Sequence, residues 1–135
     1  AKRCLRDDAD DGGLFLLHTI GGNQSVTHTD PWIGKYIFPN SMLPSAAQIA
    51  TAVEDVFVVE DLHNFGTDYD RTLQAWRANI ESAWDHLPER YDERFRRMWR
   101  YYLAASMAAF RSRRIQLWQL VLSPRGVRGG YIAPR

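Results

Sequence analysis

At 135 residues, with 45% hydrophobic and 13% aromatic positions, the chain is long enough for one packed domain and no more. No run of about 18 apolar residues is present, which excludes a membrane-spanning helix, and the single cysteine, Cys4, excludes an internal disulfide and fits a reducing compartment. The net charge of +1 is unevenly spread: residues 1–70 hold four Lys/Arg against eleven Asp/Glu, net −7, and residues 71–135 hold thirteen Arg, no Lys and five Asp/Glu, net +8.

No basic-then-apolar leader opens the chain, so a cytoplasmic protein is expected. "AKRCLRDDADDGG" reads as the tail of a helix ending in a Gly-rich turn. Cys4 lies in this charged segment and is read as incidental. "LFLLHTI" (residues 14–20) is a continuous apolar run, as expected of a strand buried on both faces. The stretch from Gly21 to Pro44 reads as a long loop. Ser45 and Gln48 form an S-x-x-Q capping box, with Ala46, Ile49, Ala50 and Val53 on one face of a short helix. "VFVVED" is a second strand, set at residues 56–60.

The segment that follows crowds Glu60, Asp61, His63, Asn64, Asp68, Tyr69 and Asp70 into eleven positions. It is read as a turn between strand and helix, with Glu60, Asp61 and His63 capping or bridging within it. Asp68 is placed as the cap of the next helix and Asp70 in its first turn, where the helix dipole favours an anion. Leu73, Trp76, Ile80, Ala83 and Leu87 make that helix's buried stripe. Pro88 is read as its end and as the first residue of the next helix. That helix carries Tyr91, Phe95, Met98, Tyr102, Ala105 and Ala109 on its apolar face and Arg90, Arg94, Arg97 and Arg100 on much of the rest. "IQLWQLVL" (residues 115–122) is a third strand, and residues 124–135 read as a flexible tail.

The order strand, helix, strand, two helices, strand is an α/β pattern. It lacks G-x-G-x-x-G and G-x-x-x-x-G-K-[ST], and "GGNQ" after the first strand has only two glycines. The expectation is therefore a chain that forms the downstream part of a larger fold. The spacings of His, Asp and Glu around residues 60–70 match no zinc pattern, so no metal is expected. No nucleic-acid motif is present, and the aromatics fall at helix-core spacing, so no nucleic-acid partner is expected.

Three stretches together carry a resemblance: "GLFLLHTIG" (13–21), "DPWIGKYIFPNSMLPS" (30–45) and "VVEDLHNFGTDYDRTLQAW" (58–76), continued by residues 91–123. In order and nearly without gaps, they resemble the C-terminal part of cyclopropane-fatty-acyl-phospholipid synthases, within the mycolic acid cyclopropane synthase family of S-adenosylmethionine (SAM)-dependent methyltransferases. The resemblance implies the C-terminal half of a Rossmann-like fold over residues 1–123. Its three-stranded mixed sheet would comprise 14–20, 56–60 and 115–122, the last running antiparallel between the other two, with a large helical insertion. It implies transfer of a methylene unit from SAM to the cis double bond of a phospholipid acyl chain, with bicarbonate as the bound base.

By the same resemblance His18, the backbone at Ile20 and Tyr69 hold the bicarbonate. A histidine and a tyrosine hydroxyl both donate to an anion. The SAM loop, the family's cysteine and its bicarbonate glutamate lie upstream of any residue here, and Cys4 does not match that cysteine. Tyr101, Tyr102 and Phe110 are candidates for an acyl channel. The Arg-rich face is expected to meet the phospholipid bilayer on the inner side of the cell membrane. The chain alone is expected to be inactive, to need the missing N-terminal half, and to form a homodimer over the apolar strand at 14–20. The alternatives are a mycolic or fatty acid methyltransferase and a non-catalytic lipid-surface or dimerisation module.

Overall fold

The computed structural model describes residues 1–5 and 13–134. Three strands form one sheet, β1 (Phe15–Gly22), β2 (Val58–Asn64) and β3 (Ile115–Ser123), in the order β1-β3-β2. β3 is antiparallel to both neighbours, with Phe15 opposite Leu122 and Gly22 opposite Ile115 on one side, and Val58 opposite Ser123 and Asn64 opposite Trp118 on the other. The last strand thus lies between the other two, as expected. The expected mixed sheet is antiparallel at both pairings, because β1 and β2 run in one direction but never touch.

Burial follows this order. β3 is buried along nearly its whole length, as a central strand covered on both faces must be. Apart from a bridge between Gly22 and Ser45 at its end, β1 is paired on one side only among the described residues. Its apolar run, expected to be buried on both faces, leaves Leu14 46% and Leu16 54% exposed.

Helix α2 (Ala46–Val53) packs Ile49 and Val53 on one sheet face, against Trp118, Leu120 and Leu122, with Phe15, Leu17 and Phe57 alongside. Its capping box is formed: Ser45 Oγ accepts from Gln48 N at 3.1 Å, and Gln48 Oε1 accepts from Ser45 N at 2.9 Å. Each such apolar side chain contributes roughly 1.5–3 kcal/mol when fully buried. The loop expected over 21–44 contains a short helix, α1 (Pro31–Tyr36). Asp30 caps it, accepting from Trp32 N and Ile33 N, and Pro31 takes the first helical position.

β2 starts and ends later than the sequence pattern indicates. Val56 and Phe57 are spent on the turn that closes α2, their N–H groups both donating to Val53 O, while Asp55 adopts φ of +58°. The strand then continues through the polar residues Asp61, His63 and Asn64, because β3 offers partners as far as Trp118. The expected 60–70 turn shrinks to Phe65, the one residue between β2 and the helix after it.

Helix α3 (Gly66–Ala83) and helix α4 (Glu93–Arg111) cover the other face. Leu73, Leu103, Phe110 and Leu117 are its buried centre, with Ile20, Phe65, Tyr69, Ile80 and Tyr102 packed around them. Asp68 does not cap α3. The helix has already begun at Gly66, and Asp68 lies in its first turn. A Cβ at Gly66 would lie 3.3 Å from Gln116 Cα and Leu117 N, so a residue without one lets the helix start against the backbone of β3. Trp76 departs from the expected stripe and is 47% exposed.

Leu87 and Pro88 fall outside both helices. α3 ends at Ala83, a 3-10 turn follows at Trp84–His86, and Asp92 caps α4 by accepting from Phe95 N at 2.9 Å. Tyr91 therefore precedes α4 rather than lying on it, with its ring 4.9 Å from Phe95. At the N-terminus Lys2–Cys4 form a 3-10 turn, and most of the helical tail expected there lies outside the described residues.

Candidate functional site

Residues opposite one another on antiparallel strands share a face, as do alternate residues along one strand. His18 lies opposite Gln119, and Gln119 lies opposite His63, so these three side chains form one row across the sheet. Ile20 and Leu117 form the next row. Both rows face α3 and α4, since Ile20 and Leu117 belong to the cluster those helices cover. Phe65 closes this face at the end of β2. Its ring centroid is 6.0 Å from that of His18 and 4.7 Å, edge-on, from that of His63.

Tyr69 stands one turn into α3, its N–H donating to Phe65 O at 3.3 Å. Its ring lies edge-on to Trp76 at 5.6 Å and to Phe110 at 5.1 Å. The sheet and the α3 entry thus bring His18, Ile20 and Tyr69 to one face around Phe65. The imidazole of His18 is exposed, and its Nδ1 lies 3.2 Å from Gln119 Nε2.

The polar residues of 60–70 hold this arrangement in place. Glu60 sits at a bulge in β2, where its carboxylate accepts from Ser123 Oγ and, at 2.8 Å, from Val127 N. It bridges across strands rather than within a turn. Asn64 Oδ1 accepts from Gly66 N at 3.1 Å, while Asn64 Nδ2 donates to Gln116 Oε1 at 3.0 Å. Asp70 takes both arms of Arg111, at 3.0 and 3.2 Å, tying α3 to the end of α4. That guanidinium holds the Asp70 carboxyl below its ordinary range. Arg100 does the same for Glu81 through bonds of 2.7 and 2.5 Å.

The three candidate acyl-channel residues have different surroundings. Phe110 is 1% exposed and belongs to the core. Tyr102 is half-buried, T-shaped against Phe38 at 6.1 Å, and burial raises its hydroxyl pKa, with Ser106 opposing the shift. Tyr101 is 57% exposed and edge-on to Trp32 at 4.6 Å. It lines an open groove of about 990 Å³ between α1 and α4, shared with Trp32, Tyr36, Phe95, Arg94 and Arg97.

Sequence reasoning missed Gln119 and Trp32. The signal for Gln119 is in the sequence: it is a polar residue on the strand face otherwise made by Ile115, Leu117 and Val121. Trp32 was hidden in a stretch read as loop. Among the described residues no group of three or more His, Cys, Asp or Glu lies close enough to hold a metal ion, and no helix is long and apolar enough to cross a membrane. Gly21 and Gly22 form no nucleotide cradle. The space a Cβ would take at Gly21 is filled by the Trp118 indole, and at Gly22 the nearest atom is Leu43 O.

Comparisons with known proteins agree with this fold. Residues 3–120 match the family described as mycolic acid cyclopropane synthetase. The chain is 57% identical over 118 residues to cyclopropane-fatty-acyl-phospholipid synthase of Escherichia coli (strain K12), covering 87% of this chain and 31% of that protein. It is 38% identical over 105 residues to tuberculostearic acid methyltransferase UfaA1 of Mycobacterium tuberculosis, covering 76% of this chain and 25% of that protein. The chain therefore spans about a third or less of the length of these relatives. Among solved structures, mycolic acid cyclopropane synthase CmaA1, complexed with SAH and CTAB, aligns with a TM-score of 0.69 at 23% identity, covering 82% of this chain and 44% of that one. The fold is thus that of the cyclopropane synthases, and the chain belongs to the mycolic acid cyclopropane synthetase family.

Proposed function

We propose that this chain is the anion- and acyl-holding part of a SAM-dependent cyclopropane-fatty-acyl-phospholipid synthase, which adds a methylene unit to the cis double bond of an unsaturated acyl chain. The observation that carries the reading is the gathering of His18, Ile20 and Tyr69 on one sheet face around Phe65. Identity of 57% to the phospholipid synthase, against 38% to the tuberculostearic acid methyltransferase, supports the phospholipid synthase reading over the fatty acid methyltransferase one.

An alkene is a weak nucleophile, and positive charge develops on the acyl chain as it attacks the methyl donor. The residues around such a site must keep water away from that charge and leave a base for the proton. The partly buried rings of Phe65 and Tyr69 supply an apolar, electron-rich wall, and Phe110 backs Tyr69 from the core. Bicarbonate, when bound, supplies the base. The residues present fit such an anion: His18 has a ring nitrogen free to donate once Nδ1 is engaged by Gln119, and Tyr69 brings a hydroxyl near the start of a helix. No residue of this chain is assigned to SAM.

The groove beside α4 fits the lipid side of the reaction. Trp32, Tyr36 and Tyr101 give it an apolar, amphipathic lining, and Arg94 and Arg97 flank it with exposed charge suited to phosphate headgroups. In this reading the enzyme works at the inner face of the cell membrane. The half-exposed Leu16 on β1 fits a further strand, from the rest of the enzyme or from a second copy.

The test is transfer of labelled methyl from SAM to vesicles of unsaturated phospholipid, by this chain combined with the upstream part of the Escherichia coli relative. Transfer is expected from the combination and not from the chain alone. Replacing Tyr69→Phe or His18→Gln is expected to lower it by about 100-fold, the lower end of what a positioned acid–base group contributes. Full transfer in both variants would remove the anion-holding reading. Vesicle binding without transfer would favour the non-catalytic module.

A further inference from the structure

We propose that Gln119 is a positioning residue that sets the tautomer of His18, so that Nε2 carries the ring's proton and is its hydrogen-bond donor. The proposal rests on the reading of His18 as an anion holder for its purpose, but not for its geometry. Gln119 Nε2 lies 3.2 Å from His18 Nδ1. With the amide turned this way its nitrogen donates and Nδ1 accepts, which puts the neutral ring's proton on Nε2.

The structure holds Gln119 firmly enough for this task. It is on the central strand, paired to His18 on one side and His63 on the other, with the buried residues Leu117 and Val121 before and after it on the same face. Phe65 limits the His18 ring further, lying 30° from its plane at 6.0 Å. A histidine meant to donate to an anion while neutral needs its second nitrogen engaged in this way; otherwise it turns or exchanges tautomers. A net neutral hydrogen bond of this kind corresponds to about a fivefold bias between tautomers. Gln119 need not touch the anion to matter, which separates it from His18 and Tyr69.

The test is side-chain nitrogen NMR of the chain labelled at histidine and glutamine, for wild type, Gln119→Leu and Gln119→Glu. Wild type is expected to show His18 with its proton on Nε2 and a through-bond coupling between Gln119 Nε2 and His18 Nδ1. A free imidazole already leans modestly toward this tautomer, so Q119E is the decisive variant. Its carboxylate accepts only and, at a pH high enough to keep the ring neutral, is expected to draw the proton to Nδ1. Q119E also keeps the side-chain length, so it reports even where Q119L fails to fold. A wild-type ring protonated at Nδ1, or a tautomer unchanged in Q119E, overturns the proposal. Methyl transfer by the combined enzyme separates the two readings. If the tautomer shifts in Q119E while transfer is unaffected, the Gln119 lock stands and the anion-holding role of His18 falls.

Discussion

Replacing Gly21→Ala tests whether the sheet is packed as tightly as the geometry indicates. A Cβ at this position would lie 2.1, 2.4 and 2.6 Å from three carbons of the Trp118 indole. Carbon atoms rest at about 3.5–4.0 Å, so the ring would have to retreat by about 1.5 Å. Trp118 is 6% exposed and packs among Ile49, Val53, Leu120 and Leu122, so it has no open space to retreat into. Overpacking of a core costs roughly 1–3 kcal/mol, and a rigid indole puts this site at the upper end, about 3 kcal/mol. For a chain of this size that corresponds to a fall of about 10 °C in Tm. Urea unfolding followed by tryptophan fluorescence measures it. The same change in a Trp118→Leu background, where the ring is gone, is expected to cost under about 1 kcal/mol, giving a coupling of roughly 2 kcal/mol. A Gly21→Ala chain within about 0.5 kcal/mol of the parent, or equal costs in both backgrounds, would refute the reasoning.

Gln116→Leu removes the hub that accepts from Asn64 Nδ2 and donates to Asn23 Oδ1 and Arg113 O, at 3.0, 3.2 and 2.8 Å. Stranding those partners is expected to cost about 2–3 kcal/mol in urea unfolding and to speed amide exchange at Gly66, which Asn64 holds. The folded pKa values of Asp70 and Glu81 lie below their ordinary values of 3.8 and 4.5, because each is hydrogen-bonded to an arginine. Their contribution to stability is present in full above about pH 4.5 and is lost as pH falls through the folded values. Acid titration of Asp70→Asn with Glu81→Gln should therefore show less added loss below pH 4.5 than the parent; an identical profile would count against the two ion pairs. Reversing Arg94→Glu and Arg97→Glu is expected to weaken binding to anionic vesicles by at least about 30-fold, from about 1 kcal/mol per arginine. Sedimentation with vesicles at two salt concentrations checks it, and unchanged binding would move the lipid surface elsewhere.

Local signals in the sequence determined a good deal. The capping box Ser45–Gln48 reads directly because its chemistry spans three residues. The two long helices and the three strands read from apolar period, although that period ends β2 too early and gives Trp76 a buried place it does not have. Resemblance across residues 13–123 named His18, Ile20 and Tyr69 together, which no spacing rule links. Tertiary structure decided what local pattern cannot carry. Whether Asp61, His63 and Asn64 turn or extend depends on β3, more than fifty residues away, offering partners. Whether Pro88 or Asp92 begins α4 depends on where the 3-10 turn lets the chain reverse. The row His18–Gln119–His63 exists only because register places three strands side by side, and register is a property of pairing between distant segments.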